Sequence, residues 1–239
     1  VSQLNVDRTR QVWSKAINEV GEAEIKIVTG NVSRVFTVTI EKVDVNVDAV
    51  TENLELYLSA NGRDNNSLDR NIWGYNGIFC NLEGFNFVNN GWIDNTLKVS
   101  GGARVDIPVQ IFKNDFRTNG KTIEIEFSTS NILDYDAVVV DCMNDRGFRI
   151  TAQQAILKSE QSEVQVKFKE DEKVRVSFVI ENRASNRLIY TYLNGIISGL
   201  AQYPENDDFH QTTPLNISIG NDLCDVNIHT IRVYDTYLT

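Results

Sequence analysis

The chain has 239 residues and a mass of 27.1 kDa, enough for one large β-type domain or two smaller ones with a proper hydrophobic core. Hydrophobic residues supply 41% and charged residues 23%, near the averages of folded globular chains, which argues against disorder or a fibrous repeat. The formal charge of -10, unrelieved by any basic cluster interleaved with aromatics, repels nucleic-acid phosphates, and no uninterrupted apolar run is long enough to span a bilayer; neither a nucleic-acid partner nor membrane insertion is expected.

Helical periodicity is confined to Arg10–Val20, where Val12, Trp13, Ile17 and Val20 line one face before Gly21, predicting one short N-terminal helix. Gly21–Gly30 and Ser33–Ile40 then read as two strands of a β-hairpin turned through Gly30-Asn31. A boundary is expected near Val43 to Val50, dividing an N-terminal segment, 1-46, from a main domain, 47-239. The sequence starts at Val1 rather than Met and only about twenty residues precede the hairpin, so a fragment of a longer polypeptide is expected, with the alternative that the hairpin belongs to the main domain.

Beyond the boundary the period is two. Ile123, Ile125 and Phe127 alternate with Glu124 and Glu126; Val164, Val166 and Phe168 alternate with Gln165 and Lys167; Val174, Val176, Phe178 and Ile180 repeat the pattern, as do Leu215, Ile217 and Ile219. Ala137–Val140 is a continuous apolar run, which predicts a strand covered on both faces. Turn signals recur at Asn61-Gly62, Asn90-Gly91, Gly101-Gly102, Asn119-Gly120, Asn194-Gly195 and Gly220-Asn221, and the 26 asparagines suit a turn-rich chain. Many short strands with such turns predict an antiparallel sandwich or barrel, with Phe127, Val138, Phe178, Ile180 and Ile219 in one core between two sheets.

Cys80, Cys142 and Cys224 are too few for a disulfide framework and lack Cys-x-x-Cys spacing, so three free thiols are expected. His210, in the polar loop Asn206–Thr213, and His229, in the closing strand, have no nucleophile motif beside them. Sugar binding needs aromatic faces next to planar amides and carboxylates, because a sugar ring presents both CH surface and hydroxyls. Two segments have that composition, with Asp64, Asn65, Asn66, Trp73 and Tyr75 in the first and Asn90 and Trp92 in the second, and these seven residues are the candidate glycan contacts. The competing reading is that Trp73 and Trp92 plug the rim of the core while the Asn and Asp side chains form turns.

The hairpin, with Gly21-Glu-Ala-Glu-Ile25 followed by Phe36-Thr-Val-Thr39, resembles the closing strands of bacterial Ig-like domains. From about residue 95 onward, Leu97–Pro108, Gly120–Phe127, Lys173–Ile180, Arg187–Gly195, Pro214–Gly220 and Ile228–Asp235 resemble, in order, the strands of the laminin-G/concanavalin-A-like jelly roll. That resemblance implies an all-β fold: an antiparallel two-sheet jelly-roll sandwich, here with a short N-terminal helix and β-hairpin. Leu82–Phe87, Asn90–Trp92 and Ile150–Gln153 are similar to jelly-roll modules of phage and prophage tail, baseplate and fibre proteins.

The narrower resemblance implies a non-enzymatic structural or binding module of a phage-like virion appendage, assembled in the bacterial cytoplasm. Its implied partners are other virion structural proteins and host cell-surface polysaccharide, met by a homo-oligomer or by arrayed copies. The alternatives are a carbohydrate-binding module of a bacterial secreted or surface protein, and a diverged glycoside hydrolase. Jelly-roll hydrolases carry a Glu-x-Asp-x-x-Glu motif, which Glu124-Ile-Glu126-Phe-Ser-Thr129 resembles except that Thr129 stands at the acid position, so no catalytic residue is assigned. Laminin-G-like folds often bind calcium, but no segment has the alternating carboxylates of a calcium loop, so no metal ligand and no cofactor is assigned.

Overall fold

The computed structural model describes residues 21–29, 32–40, 52–66, 69–70, 72–112, 120–183, 186–204 and 215–238. The helix expected at Arg10–Val20, the Gly30-Asn31 turn and the His210 loop lie outside the described residues. The chain divides into two units, Val1–Val50 and Thr51–Thr239. In the first, β1 (Gly21–Thr29) and β2 (Val32–Ile40) form an antiparallel hairpin registered from Gly21 opposite Ile40 to Thr29 opposite Val32.

The second unit continues with β3 (Leu54–Ser59), β4 (Gly74–Tyr75), β5 (Ile78–Phe79), β6 (Asn81–Glu83), β7 (Gly91–Ile93), β8 (Thr96–Val99), β9 (Arg104–Ile107) and β10 (Lys121–Ser130). It is completed by β11 (Val138–Met143), β12 (Gly147–Thr151), β13 (Gln154–Lys158), β14 (Glu163–Lys167), β15 (Val174–Arg183), β16 (Asn186–Leu193), β17 (Ile196–Gln202), β18 (Ile217–Ile219) and β19 (Asp225–Tyr234). An eight-stranded sheet runs β17-β16-β15-β10-β19-β8-β7, with β3 also paired to β19; a seven-stranded sheet runs β14-β13-β12-β11-β18-β9-β6. Every pairing is antiparallel.

The period-two pattern decides which side chains enter the space between the sheets. In β10, Ile123, Ile125 and Phe127 are fully buried while Glu124 and Glu126 face out; in β15, Val176, Phe178 and Ile180 point inward, and Ile219 of β18 meets them from the other sheet. The core joins aromatic rings across the sandwich: Phe148 and Phe178 lie 5.0 Å apart, and Phe127 meets Phe168 edge to face at 5.2 Å. Thr129 Oγ1 also points inward, donating to the Ala152 carbonyl at 3.0 Å.

Val138 departs from expectation. A register shift between Val138 and Val140 in the β11–β12 ladder sets two residues against one, so Val139 and Val140 are both buried and Val138 lies half-buried on the other side. The apolar run 137–140 is therefore a bulge and not a strand covered evenly on both faces. Asn90-Gly91 is also no hairpin tip: Asn90 is buried, its Oδ1 accepting from the Asn86 and Phe87 amides and its Nδ2 donating to the Ser100 carbonyl at 3.1 Å, while Gly91 opens β7. Asparagine does serve the turns elsewhere. Five of the eight non-glycine residues with positive φ among the described residues are Asn, including Asn194, which with Gly195 makes the tight β16–β17 turn.

Candidate functional site

The two loop segments singled out by composition do come together. The Asn65 side chain accepts from the Trp92 amide at 2.8 Å, the Trp92 indole donates to the Asp69 carbonyl at 3.0 Å, and the Arg63 guanidinium lies 5.0 Å over the Trp92 ring. What they build is a plug and not a stacking platform. Trp73 is 1% exposed and Trp92 4%, so neither ring face is open to a sugar; burying these large apolar rings against Leu97 and its neighbours is worth more than leaving them at the surface. Asn90 is likewise buried in its loop. Asp64 and Asn66 are exposed, with their polar atoms spent on the turn: the Asn66 amide donates to Asp64 Oδ1 at 2.7 Å, and Asn66 Oδ1 accepts from the Asp69 amide at 3.0 Å.

Tyr75 has a different place. Its ring meets Tyr57 of β3 edge to face at 6.2 Å, and Tyr57 begins a row that crosses the outer face of the eight-stranded sheet. Cross-strand register sets Tyr57 opposite Arg232 of β19, Arg232 opposite Glu124 of β10, Glu124 opposite Ser177 of β15, and Ser177 opposite Tyr192 of β16. The links are chemical as well as topological. Arg232 lies 5.4 Å over the Tyr57 ring, its Nη1 is 3.7 Å from Glu124 Oε2, and Ser177 Oγ donates to Glu124 Oε1 at 3.2 Å. A guanidinium and a carboxylate thus sit at the centre of the row, with tyrosine rings at both ends.

The next row is charged. Glu126 is ion-paired to Lys173 and lies 3.6 Å from Arg175, with His229 near by at the bulge in β19. Burial works to raise the Glu126 carboxyl, but the hydrogen bond and charge of Lys173 and the charge of Arg175 outweigh it and hold the carboxyl below its ordinary value. Burial and then Lys173 push the His229 imidazole below its ordinary value, against the opposing pull of Glu126. Arg175 Nε and Arg232 Nε are buried without a hydrogen-bond partner, so both guanidiniums are held by charge and packing more than by a full set of donors. One end of the face is closed by the segment after β19: Thr122 Oγ1 donates to the Thr236 carbonyl at 2.9 Å and accepts from the Leu238 amide at 2.8 Å.

The outer face of the other sheet carries a polar groove of about 580 Å³, lined by Asp106, Asp141, Asn144, Asn216 and Ser218, with no aromatic ring. Its carboxylates are engaged, Asp106 by Asn216 and Ser218 and Asp141 by Arg149. Among the described residues no three His, Cys, Asp or Glu side chains converge as a metal would require.

Glu124, Glu126 and Thr129 do not share a face: the two glutamates lie outside the sandwich and Thr129 inside it. Tyr57, Ser177, Tyr192 and Arg232 are absent from the residues singled out by composition. Their signal is phase, since each alternates with core residues on its own strand, but only strand order puts them in one row.

No family model and no curated protein matches the sequence. Among solved structures, the fold is similar to the binding domain of botulinum neurotoxin DC in complex with SialylT, with a TM-score of 0.54 and 15% identity over 78% of this chain and 49% of that one. It is a β-sandwich of the jelly-roll kind. A botulinum neurotoxin type C structure, described for its dependence on two ganglioside molecules, matches with a TM-score of 0.50 and 15% identity over 78% of this chain and 49% of that one. The sequence thus spans about half the length of these two solved chains, and at these identities the likeness is one of fold.

Proposed function

We propose that the sandwich is a non-enzymatic glycan-binding module of a phage-like virion appendage, docked to other virion proteins and turned toward host surface polysaccharide. The row Tyr57–Arg232–Glu124–Ser177–Tyr192 carries this reading. Tyrosine rings offer surface to the CH face of a sugar, Glu124 accepts from hydroxyls, and Arg232 donates to ring or carboxylate oxygens. The solved neighbours named for SialylT and for gangliosides support a saccharide as the ligand class. Binding is favoured over hydrolysis because both glutamates of the hydrolase-like stretch are held in ion pairs and Thr129, at its acid position, is turned into the core. The β1–β2 hairpin is taken as the end of an Ig-like domain preceding the module.

A glycan array with the recombinant chain identifies the ligand, and titration calorimetry then measures it against Tyr57→Ala, Tyr192→Ala and Glu124→Gln. Each variant is expected to lose about tenfold in affinity, roughly 1.4 kcal/mol, while keeping the far-ultraviolet circular dichroism of the folded chain. Equal affinity in all three variants removes this face from the site. Asp64→Ala and Asn66→Ala, in the exposed loop, serve as a separate pair in the same titration. Release of reducing ends from the bound polysaccharide would instead identify a hydrolase.

A further inference from the structure

The sequence holds five Asn-Gly pairs, and four of them, at Asn61, Asn76, Asn90 and Asn194, have both residues among the described ones. Such a pair carries its own nucleophile, because the glycine amide nitrogen has no side chain beside it to block its approach to the asparagine side-chain carbonyl. The fold restrains three of the four. Asn90 is buried, with its Oδ1 accepting from the Asn86 and Phe87 amides and its Nδ2 donating to the Ser100 carbonyl. Asn194 Oδ1 accepts from the Arg175 amide at 2.8 Å, the Asn194 amide donates to the Arg175 carbonyl at 2.8 Å, and its turn belongs to the eight-stranded sheet. At Asn61 the nucleophile is occupied, since the Gly62 amide donates to Asn95 Oδ1 at 3.1 Å. Asn76-Gly77 has none of these restraints. Both residues are exposed, the Asn76 side chain makes no hydrogen bond among the described residues, and nothing lies within 4 Å of the point where a side chain on Gly77 would begin. The pair closes the β4–β5 hairpin, a sheet of its own held by two residue pairs, Gly74 with Phe79 and Tyr75 with Ile78.

We propose that Asn76-Gly77 is a self-modification site, at which the folded chain converts asparagine to aspartate and isoaspartate ahead of its other described Asn-Gly pairs. The Gly77 nitrogen gives up its proton to hydroxide and bonds to Asn76 Cγ; the Cγ–Nδ2 bond breaks, and Nδ2 leaves as ammonia with a proton taken from water. Water then opens the resulting five-membered imide at either carbonyl, giving aspartate or isoaspartate. The balance is one amide and one water converted to one carboxylic acid and one ammonia, with no oxidant or cofactor. Asn76 at φ 48° and Gly77 at φ 82° form a left-handed pair that ring closure must unwind, so the step waits on local opening of the turn. A hairpin of two residue pairs opens at small cost, whereas the Asn194 turn opens only with the edge of a large sheet. The position matters because Tyr75, the residue before Asn76, packs edge to face on Tyr57 at one end of the outer-face row. Isoaspartate lengthens the backbone by one methylene, which a two-residue turn with both φ positive does not accommodate, and either product adds a negative charge beside that ring.

The full chain is incubated warm at mildly alkaline pH, folded and in denaturant, and sampled over time by peptide mapping with fragmentation that separates aspartate from isoaspartate. In the folded protein Asn76 is expected to convert first, no more than about tenfold slower than in denaturant, because opening its hairpin costs little. Asn61, Asn90 and Asn194 are expected to stay amides over that time, and in denaturant all four are expected to convert at similar rates. Conversion of any of those three as early as Asn76 in the folded protein, or a folded Asn76 that stays intact after the denatured chain has converted, overturns the proposal. Asn76→Gln, whose longer side chain does not close a five-membered ring, is expected to hold its saccharide affinity through the incubation while the unsubstituted chain loses it. That arm rests on the glycan reading of the tyrosine row, whereas the peptide map is read with no ligand present, so failure of the one is distinct from failure of the other.

Discussion

Trp73 and Trp92 meet edge to face with ring centroids 5.5 Å apart, and each indole N–H is satisfied by a backbone carbonyl, that of Ser59 for Trp73 and of Asp69 for Trp92. The pair ties the loop after β3 to β7, so the most sugar-like stretch of the sequence is a buried closure of one end of the sandwich.

Trp73→Ala is therefore expected to cost about 3–5 kcal/mol of folding stability, and Trp92→Ala a similar amount. Urea denaturation followed by circular dichroism measures both. A loss below about 1 kcal/mol for Trp73→Ala would mean that the ring is not packed as described.

Phe178→Ala is expected to cost about 3–5 kcal/mol as well, because the ring is fully buried against Phe148 and opposite Ile123 of β10. Val138→Ala, half-buried outside the bulge, is expected to cost distinctly less in the same denaturation series.

Acid is expected to destabilise the fold in two steps. His229 has a folded value below its ordinary 6.5, so the unfolded chain binds that proton first, and stability is lost as pH falls below about 6.5 toward the folded value. Glu126 has a folded value below its ordinary 4.5; its contribution is present above that pH and is lost as pH falls through the folded value. Denaturation midpoints measured from neutral pH downward should show both losses, and His229→Gln should remove the first while sparing the second.

All three cysteines are free and buried, and burial pushes the Cys80 and Cys142 thiols up to about 12 and that of Cys224 to about 11. Little thiolate exists at neutral pH, so thiol titration is expected to be slow on the native protein and to find three groups at once in denaturant. Fewer than three in non-reduced, denatured protein would indicate a disulfide.

Alternation in β10, β15 and β18 was enough to read an all-β sandwich and to place Phe127, Phe178, Ile180 and Ile219 between its sheets, because a strand facing a core on one side must repeat every second residue. Asn194-Gly195 was legible as a turn for an equally local reason, the need for positive φ at both positions. Val138 was not, since a bulge depends on how many residues the partner strand sets against it. The tyrosine row lay further out of reach. Tyr57, Glu124, Ser177, Tyr192 and Arg232 are spread over most of the chain, and strand order and register, which are properties of the closed sandwich, bring them side by side. Composition likewise marked Trp73 and Trp92 without saying which way they face, because an indole can stack on a sugar or fill a core, and only the packing around Leu97 and Ser59 decided for the core.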